Sequence, residues 1–204
     1  MSAPLKSMPY LIWKSIDWKH GALPIFNCLK DRSNAFFLDS SLHRGDSGRY
    51  SFLGFEPFYI LKTKGNENSF AGVRELLKRY TIDSQKYPFP FLGGAVGYFS
   101  YDLGLYLEKI KPMAEDDLSL PDLFLGFYDT IVTLDHLKKK LFIFSSGFPE
   151  NTYLLAKKRA EYRLKQCISL LSRMCFRYPH LGPSAKNKIS DTQSAPICVS
   201  SFTK

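Results

Sequence analysis

The sequence contains no apolar run long enough to cross a membrane, for which about 20 apolar residues are needed. Its longest uncharged stretch, Tyr87–Tyr101, is shorter and contains two prolines and three glycines. The amino terminus also lacks the apolar block that defines a signal peptide. These absences predict a cytoplasmic protein that has no membrane partner.

Cysteine is scarce, and the four cysteines Cys28, Cys167, Cys175 and Cys198 form no CxxC pair. A metal site would need tighter clustering of cysteine with histidine, so no metal is expected in this chain. The spacing and the predicted compartment indicate reduced thiols and not a disulfide framework.

Acidic residues are outnumbered, and the net charge is +9. The basic excess is concentrated between His136 and Arg177, where ten lysines and arginines are opposed only by Glu150 and Glu161. A nucleic-acid surface is one interpretation, because such a patch would release counterions from a phosphate backbone. No nucleic-acid-binding motif accompanies the charge. We therefore expect a solvated helix face and a strand edge guarded by lysines, with no nucleic-acid partner.

The patterning predicts an α+β fold of mixed or antiparallel β-sheets with outer helices. Aromatic residues make up 15% of the chain and favour strands. Strands are predicted over Tyr10–Ile16, Ala35–Ser41, Tyr50–Phe55, Phe58–Lys64 and Gly94–Tyr101. A hairpin of Leu123–Leu134 and Lys140–Ser145 is also predicted, with His136–Lys139 at its turn. Helices are predicted over Leu23–Lys30, Ser69–Tyr80, Asp102–Lys109 and Asn151–Arg177. The last of these has a stripe of apolar residues at helical spacing: Tyr153, Ala156, Ala160, Leu164, Cys167 or Ile168, Leu171 and Met174. The segment Pro183–Pro196 has no periodicity and is predicted to be a linker.

Gly93, Gly94 and Gly97 do not have the spacing of a dinucleotide-binding or Walker loop. The residues that follow them are aromatic and typical of a strand, whereas a nucleotide loop would open a helix. Glycines in a strand more often permit a close approach of two backbones, which is the interpretation favoured here.

Two clusters of polar residues suggest chemistry but lack the required arrangement. Ser40, Ser41, His43 and Asp46 lie in one loop, whereas a nucleophilic triad is built from separate segments. We expect them to form turn hydrogen bonds, which leaves ligand binding open. The run Glu115–Asp117, with Asp122 after it, lacks the spacing of a cation-binding loop and is expected to be solvated.

Three ordered stretches are similar to motifs of one family. FFLDSS with GRYSFLGFEP resembles its "LxS … RYSxxGxxP" block, and GGAVGYFSYDLG resembles its "GGxxGYxxYDxxxxxE" block, with Glu108 in the acidic place. LPDLFLGFYDTIVTLDH resembles "LPDxxxxxYDxxxxxDH", and the terminal VSSFTK resembles "SNFTKE". The family comprises component I of the chorismate-utilising synthases, which includes aminodeoxychorismate synthase and anthranilate synthase.

The resemblance implies that the chain is the amino-terminal half of a two-sheet sandwich and carries no catalytic residue. It implies an amino-terminal domain at 1–182, a linker at 183–196, and the start of a truncated chorismate-binding domain at 197–204. Magnesium and the chorismate contacts belong, by the same resemblance, to the chorismate-binding domain. The implied partners are that domain and a glutamine amidotransferase subunit.

A tryptophan-binding site is also implied by resemblance, at Leu38, Asp39, Ser40, Arg49, Tyr50 and Ser51. Asp39 stands where the family more often has glutamate. The spelling at Asp39 and in RYSFLGF favours aminodeoxychorismate synthase over anthranilate synthase. A scaffold module without catalysis remains a further alternative.

Overall fold

The computed structural model describes residues 10–18, 20–40, 42, 48–65, 69–83, 87–108, 110–111, 115–177 and 193–194. Within these residues the strands are β1 (Ile12–Asp17), β2 (Phe36–Leu38), β3 (Tyr50–Gly54), β4 (Tyr59–Thr63), β5 (Gly94–Phe99), β6 (Leu123–Tyr128), β7 (Thr130–Asp135), β8 (Lys140–Ser145) and β9 (Gln193–Ser194). The helices are α1 (Leu23–Leu29), α2 (Ser69–Arg79), α3 (Leu103–Glu108) and α4 (Tyr153–Arg177). Across the described part of the chain, no helix combines the length and apolar character needed to span a membrane.

The strands form two sheets in which every pair is antiparallel. The larger sheet has six strands in the order β2-β3-β7-β8-β1-β9, and the smaller has the order β4-β6-β5. This architecture confirms the predicted α+β class. The short β9, Gln193–Ser194, lies inside the predicted linker. The rest of that linker is outside the described part of the chain.

The predicted strand Leu123–Leu134 is wrong, because it is two strands in different sheets. β6 ends at Tyr128 and is the central strand of the smaller sheet, whereas β7 begins at Thr130 and pairs with β3 and β8. Asp129 makes the crossing, and its carbonyl oxygen accepts the Ser146 N–H at 2.8 Å. The sequence shows no break because the residues on both sides of the crossing are almost all buried.

Helices α1 and α4 cover one face of the six-stranded sheet. The predicted stripe of α4 is confirmed at Ala156, Ala160, Leu164, Cys167 and Leu171, which are all buried in one core. Tyr153, by contrast, is 47% exposed, although its ring meets the ring of Tyr10 edge to face. The opposite face of the sheet carries a second cluster that includes Leu11, Phe142 and Phe144.

The expectation that the basic residues of α4 are solvated is wrong for Arg163, whose side chain is only 6% exposed. Its Nε donates to Asp129 at 3.2 Å, its Nη1 donates to Glu56 at 2.8 Å, and its Nη2 donates to the carbonyl of Phe55 at 3.0 Å. Arg159 reaches the same Asp129 at 2.8 Å. These contacts tie α4 to the sheet crossing and to the turn between β3 and β4.

The expectation that Asp122 is solvated is wrong, whereas the close backbone approach expected at the strand glycines is confirmed. Asp122 is buried and not solvated, because its carboxylate accepts the Gly65 N–H at 2.7 Å where the ends of β4 and β5 meet the start of β6. The close approach predicted for the strand glycines is confirmed at Gly97, where a Cβ would lie 1.9 Å from the carbonyl oxygen of Phe124. Among the cysteines that the structure describes, Cys28 is half-buried and Cys167 is buried, and neither is in a disulfide.

Candidate functional site

The predicted ligand-binding residues converge at one end of the six-stranded sheet. Asp39 and Ser40 follow β2, while Tyr50 and Ser51 begin the neighbouring strand β3. β2 runs antiparallel to β3, so that Leu38 lies opposite Phe52. The end of one strand therefore meets the start of the next, and side chains about a dozen positions apart in sequence become neighbours.

Ser51 is the centre of this cluster and is completely buried. Its hydroxyl donates to Asp39 Oδ1 at 2.8 Å and accepts the backbone N–H of Ser40 at 3.0 Å. His136 Nε2 lies 2.7 Å from the same oxygen. A serine hydroxyl has one proton and two acceptor sites. With the proton given to Asp39, the hydroxyl must accept from His136, and Nε2 therefore carries a proton.

The hydroxyl of Ser51 is thus saturated by protein groups and holds Asp39 and Ser40 in place. Asp39 is exposed and Ser40 is half-buried, so both can be reached from solvent.

Arg49 forms a partly buried ion pair with Asp135, the last residue of β7. Its Nη2 is 2.7 Å from Asp135 Oδ2, and its Nε is 3.2 Å from both carboxylate oxygens. Burial alone would raise the pKa of Asp135. Hydrogen bonds from Arg49 and from the backbone N–H groups of Lys138 and Leu137 outweigh the burial and hold this pKa below its usual value. The pair fixes the Arg49 guanidinium beside the strand end.

An aromatic and aliphatic surface adjoins these polar groups. The Tyr50 and Phe52 rings stack with centroids 6.1 Å apart, and the Arg49 guanidinium lies 4.8 Å from the centre of the Tyr50 ring. Leu38, opposite Phe52, is 50% exposed. Burial and the charge of Asp135 raise the pKa of Tyr50 against the opposing effect of Arg49, so the phenol stays neutral. Because successive side chains of a strand point to opposite faces, these apolar residues lie beside Arg49 on one face of the sheet, and Asp39 and Ser51 lie on the other face of the same strand end.

Ser51, His136 and Asp39 have the composition of a hydrolytic triad but not its geometry. In a triad the carboxylate orients the histidine, and the serine hydroxyl gives its proton to the histidine. Here the serine hydroxyl donates to the carboxylate instead, and it has no exposed surface for a substrate. The arrangement is suited to holding a strand end in position and not to nucleophilic attack.

His136 is the member of the cluster that sequence reasoning misses, since the sequence pattern places it only in the turn between β7 and β8. The available signal was its place directly after Asp135 in the stretch that ends in Leu-Asp-His. Ser41, His43 and Asp46, which were expected to form turn hydrogen bonds, lie outside the described residues.

Comparison with known proteins gives a consistent set of matches. Residues 33–195 match the family model described as chorismate binding enzyme. The chain is 29% identical over 185 residues to anthranilate synthase alpha subunit 2, chloroplastic, of Arabidopsis thaliana, a match that covers 70% of this chain and 30% of that protein. It is 28% identical over 152 residues to aminodeoxychorismate synthase component 1 of Klebsiella aerogenes, which covers 67% of this chain and 34% of that protein.

A solved structure supports the fold. Anthranilate synthase component I from Streptococcus pneumoniae TIGR4 superposes with a TM-score of 0.50 and 22% sequence identity, covering 64% of this chain and 31% of that chain. The chain spans about a third of the length of the relatives that it matches. The matched residues 33–195 include all six predicted ligand-binding positions.

Proposed function

This chain belongs to the chorismate-binding enzyme family, and we propose that it is the amino-terminal, non-catalytic portion of aminodeoxychorismate synthase component I. The observation that supports this proposal most directly is the family match over residues 33–195, together with relatives of which the chain spans about a third. In the complete enzyme, chorismate would be aminated with ammonia derived from glutamine to give a folate precursor.

The residue types around the site favour aminodeoxychorismate synthase. Asp39 supplies an acid one carbon shorter than glutamate, and the order Arg49-Tyr50-Ser51 places a guanidinium where anthranilate synthases more often have Lys-Ser. Anthranilate synthase component I, which acts in tryptophan biosynthesis, is the second candidate. It is favoured by two relatives, anthranilate synthase alpha subunit 2 of Arabidopsis thaliana and anthranilate synthase component 1 of Thermus thermophilus, the latter 31% identical over 129 residues.

We further propose that the strand end at Asp39 and Ser40 binds an amino acid of the tryptophan type. A zwitterionic aromatic ligand needs polar groups for its charged end and an apolar surface for its ring. Arg49 is suited to the carboxylate, and Asp39 to the ammonium group. Leu38, Tyr50 and Phe52 would supply the apolar surface beside Arg49 on one face of the sheet. Asp39, held by the saturated hydroxyl of Ser51, lies on the other face, so the ligand would sit across the strand end.

The partners proposed for the chain are a glutamine amidotransferase subunit, which would deliver ammonia, and a chorismate-binding domain. Magnesium is assigned to that domain and not to this chain. Within the described residues no group of three histidine, cysteine, aspartate or glutamate side chains is arranged to hold a metal ion.

The test is ammonia-dependent turnover of chorismate, measured with this polypeptide alone and after addition of the carboxy-terminal half of a component I enzyme. We expect no turnover by the polypeptide alone and turnover when the two halves are combined. The mass of the product separates aminodeoxychorismate from anthranilate. Conversion of chorismate by the polypeptide alone would refute the non-catalytic assignment.

A further inference from the structure

Three hydrogen-bonded side chains join the turn between β7 and β8 to the end of β2. His136 Nε2 lies 2.7 Å from Ser51 Oγ, and the Ser51 hydroxyl donates to Asp39 Oδ1 at 2.8 Å. Ser51 is completely buried, whereas His136 is half-buried and Asp39 is exposed. The contacts therefore run from the turn, through a buried serine, to a carboxylate that solvent reaches.

The backbone that carries His136 is fixed on both sides. Its own N–H donates to the carbonyl oxygen of Arg49 at 2.9 Å. Asp135 Oδ1 accepts the backbone N–H groups of Leu137 and Lys138 at 3.1 Å and 2.9 Å. Bonds from an aspartate to the backbone two and three positions further on stabilise a turn. The imidazole therefore projects from a backbone whose position is set independently of the ring.

The direction of the hydrogen bonds at Ser51 depends on which atom of His136 faces it. As a carboxylate, Asp39 can only accept, and the Ser40 N–H, 3.0 Å from Ser51 Oγ, can only donate. If Nε2 presented a lone pair, Asp39 and His136 would compete for the single hydroxyl proton. With a proton on Nε2, the hydroxyl accepts from His136 and is left to donate to Asp39.

Removal of the imidazole would be felt at Asp39 for two physical reasons. The buried hydroxyl of Ser51 would lose one of its two donors, and a buried polar atom without its partner costs free energy. Hydrogen bonds in a chain also strengthen one another, so Ser51 donates more weakly to Asp39 when His136 no longer donates to Ser51. Both effects loosen the carboxylate that the proposed ligand site offers to an ammonium group.

We propose that His136 is a positioning residue of the amino-acid site, which acts through Ser51 to hold Asp39 for the ammonium group of the ligand. The inference rests on the proposed ligand site and adds to it a side chain that does not touch the ligand. Its influence is confined to one charged group, because Arg49 and the apolar residues lie on the other face of the strand end. A ligand that has no ammonium group should therefore not sense His136.

The binding test compares tryptophan with two analogues: tryptamine, which lacks the carboxylate, and indole-3-propionate, which lacks the ammonium group. Ligand-observed NMR titrations are made with the 204-residue chain, alone and with the carboxy-terminal half of a component I enzyme. His136→Leu should weaken tryptophan and tryptamine about fivefold or more, as expected for one hydrogen bond, and leave indole-3-propionate unchanged. His136→Gln, whose amide can donate to Ser51, should restore most of the lost affinity.

The outcomes separate this inference from the ligand site on which it rests. An equal loss for all three ligands in His136→Leu would show a general structural role and overturn the inference, and so would an unchanged affinity for tryptophan. No binding of tryptophan by the parent in either preparation would overturn the ligand site and the inference together. Leu137→Ala is the matched control, since Leu137 is 74% exposed on the same turn, and it should change none of the three affinities.

Nitrogen NMR of the imidazole checks the donor without any ligand. The ring nitrogen shifts distinguish the two tautomers, and in neutral His136 we expect the proton on Nε2. A neutral ring with its proton on Nδ1 would refute the argument, because Ser51 would then have to give its own proton to His136 and not to Asp39.

Discussion

Replacing Arg163 with methionine tests whether the ion-pair network beneath α4 holds this helix on the sheet. Arg163 makes hydrogen bonds to Asp129, Glu56, Gln166 and the carbonyl oxygens of Phe55 and Glu56. Methionine keeps most of the apolar stem, including the part near the Phe55 ring, which lies 4.9 Å from the guanidinium carbon. The substitution therefore removes the charge and the five hydrogen bonds with little loss of volume.

The expected cost follows from what is left without a partner. Removal of one member of a buried ion pair typically costs about 3–5 kcal/mol, because the other charge stays buried. Asp129 would keep its ion pair with Arg159 at 2.8 Å, and Glu56 would keep its ion pair with Arg32. Neither carboxylate would therefore lose all of its charged partners. We therefore expect a loss of about 3 kcal/mol in the free energy of unfolding, at the lower end of that range.

Urea unfolding followed by the fluorescence of Trp13 and Trp18 measures this loss, provided that the transition is two-state. Lys165→Ala is the matched control, since Lys165 is an exposed cation on the same helix and should change stability little. The double variant with Asp129→Asn should lose less than the sum of the single variants, because the two residues share one interaction. A loss below about 1 kcal/mol for Arg163→Met would refute the claim that the network anchors α4.

Three further outcomes are expected. Gly97→Ala should cost at least about 2 kcal/mol in urea unfolding, because its Cβ would collide with the Phe124 carbonyl; an unchanged midpoint would contradict the close approach. Burial raises the pKa of Cys167 to about 12, so a variant with Cys167 as its sole cysteine should resist a thiol reagent at pH 8 until urea unfolds it; rapid labelling of the folded protein would show the thiol to be accessible. The pKa of Asp135 in the folded protein is below its ordinary 3.8, so its stabilising pairing with Arg49 is complete above that pH and lost as the pH falls through the folded pKa. Asp135→Asn should therefore lose less stability on acidification below about pH 4 than the parent, and parallel pH curves would contradict this.

Local periodicity predicted most elements of this fold. The stripe of α4 was identified from apolar residues at helical spacing, and the hairpin of β7 and β8 from two apolar runs around a lysine-rich turn. The crossing at Asp129 could not be predicted in this way. β6 and β7, the strands on either side of Asp129, are buried on both faces. Neither an alternation of apolar and polar residues nor a turn residue therefore marks the point where the chain changes sheets.

The polar contacts could not be predicted from the sequence, for a different reason. Arg163 has the same local pattern as its exposed neighbours on α4, and its partner Glu56 is 107 positions away. His136 and Ser51 are 85 positions apart and meet only because β3 and β7 pair in one register. Such contacts depend on strand order, which a single sequence does not specify. The residue types of the candidate site were therefore predictable, whereas the saturation of Ser51 was not.

The motifs that reveal the family also prove to have structural roles. In the stretch from Leu120 to His136, Asp122 ties three strand ends together, Asp129 joins the two sheets to α4, Asp135 fixes Arg49, and His136 contacts Ser51. Each of these is a polar group held inside the fold, where an unpaired replacement would be costly. Recognition of the family from this stretch thus depends on residues that build the scaffold. Activity has to be tested by reconstitution, because a scaffold of this kind can persist whether or not the protein that carries it catalyses a reaction.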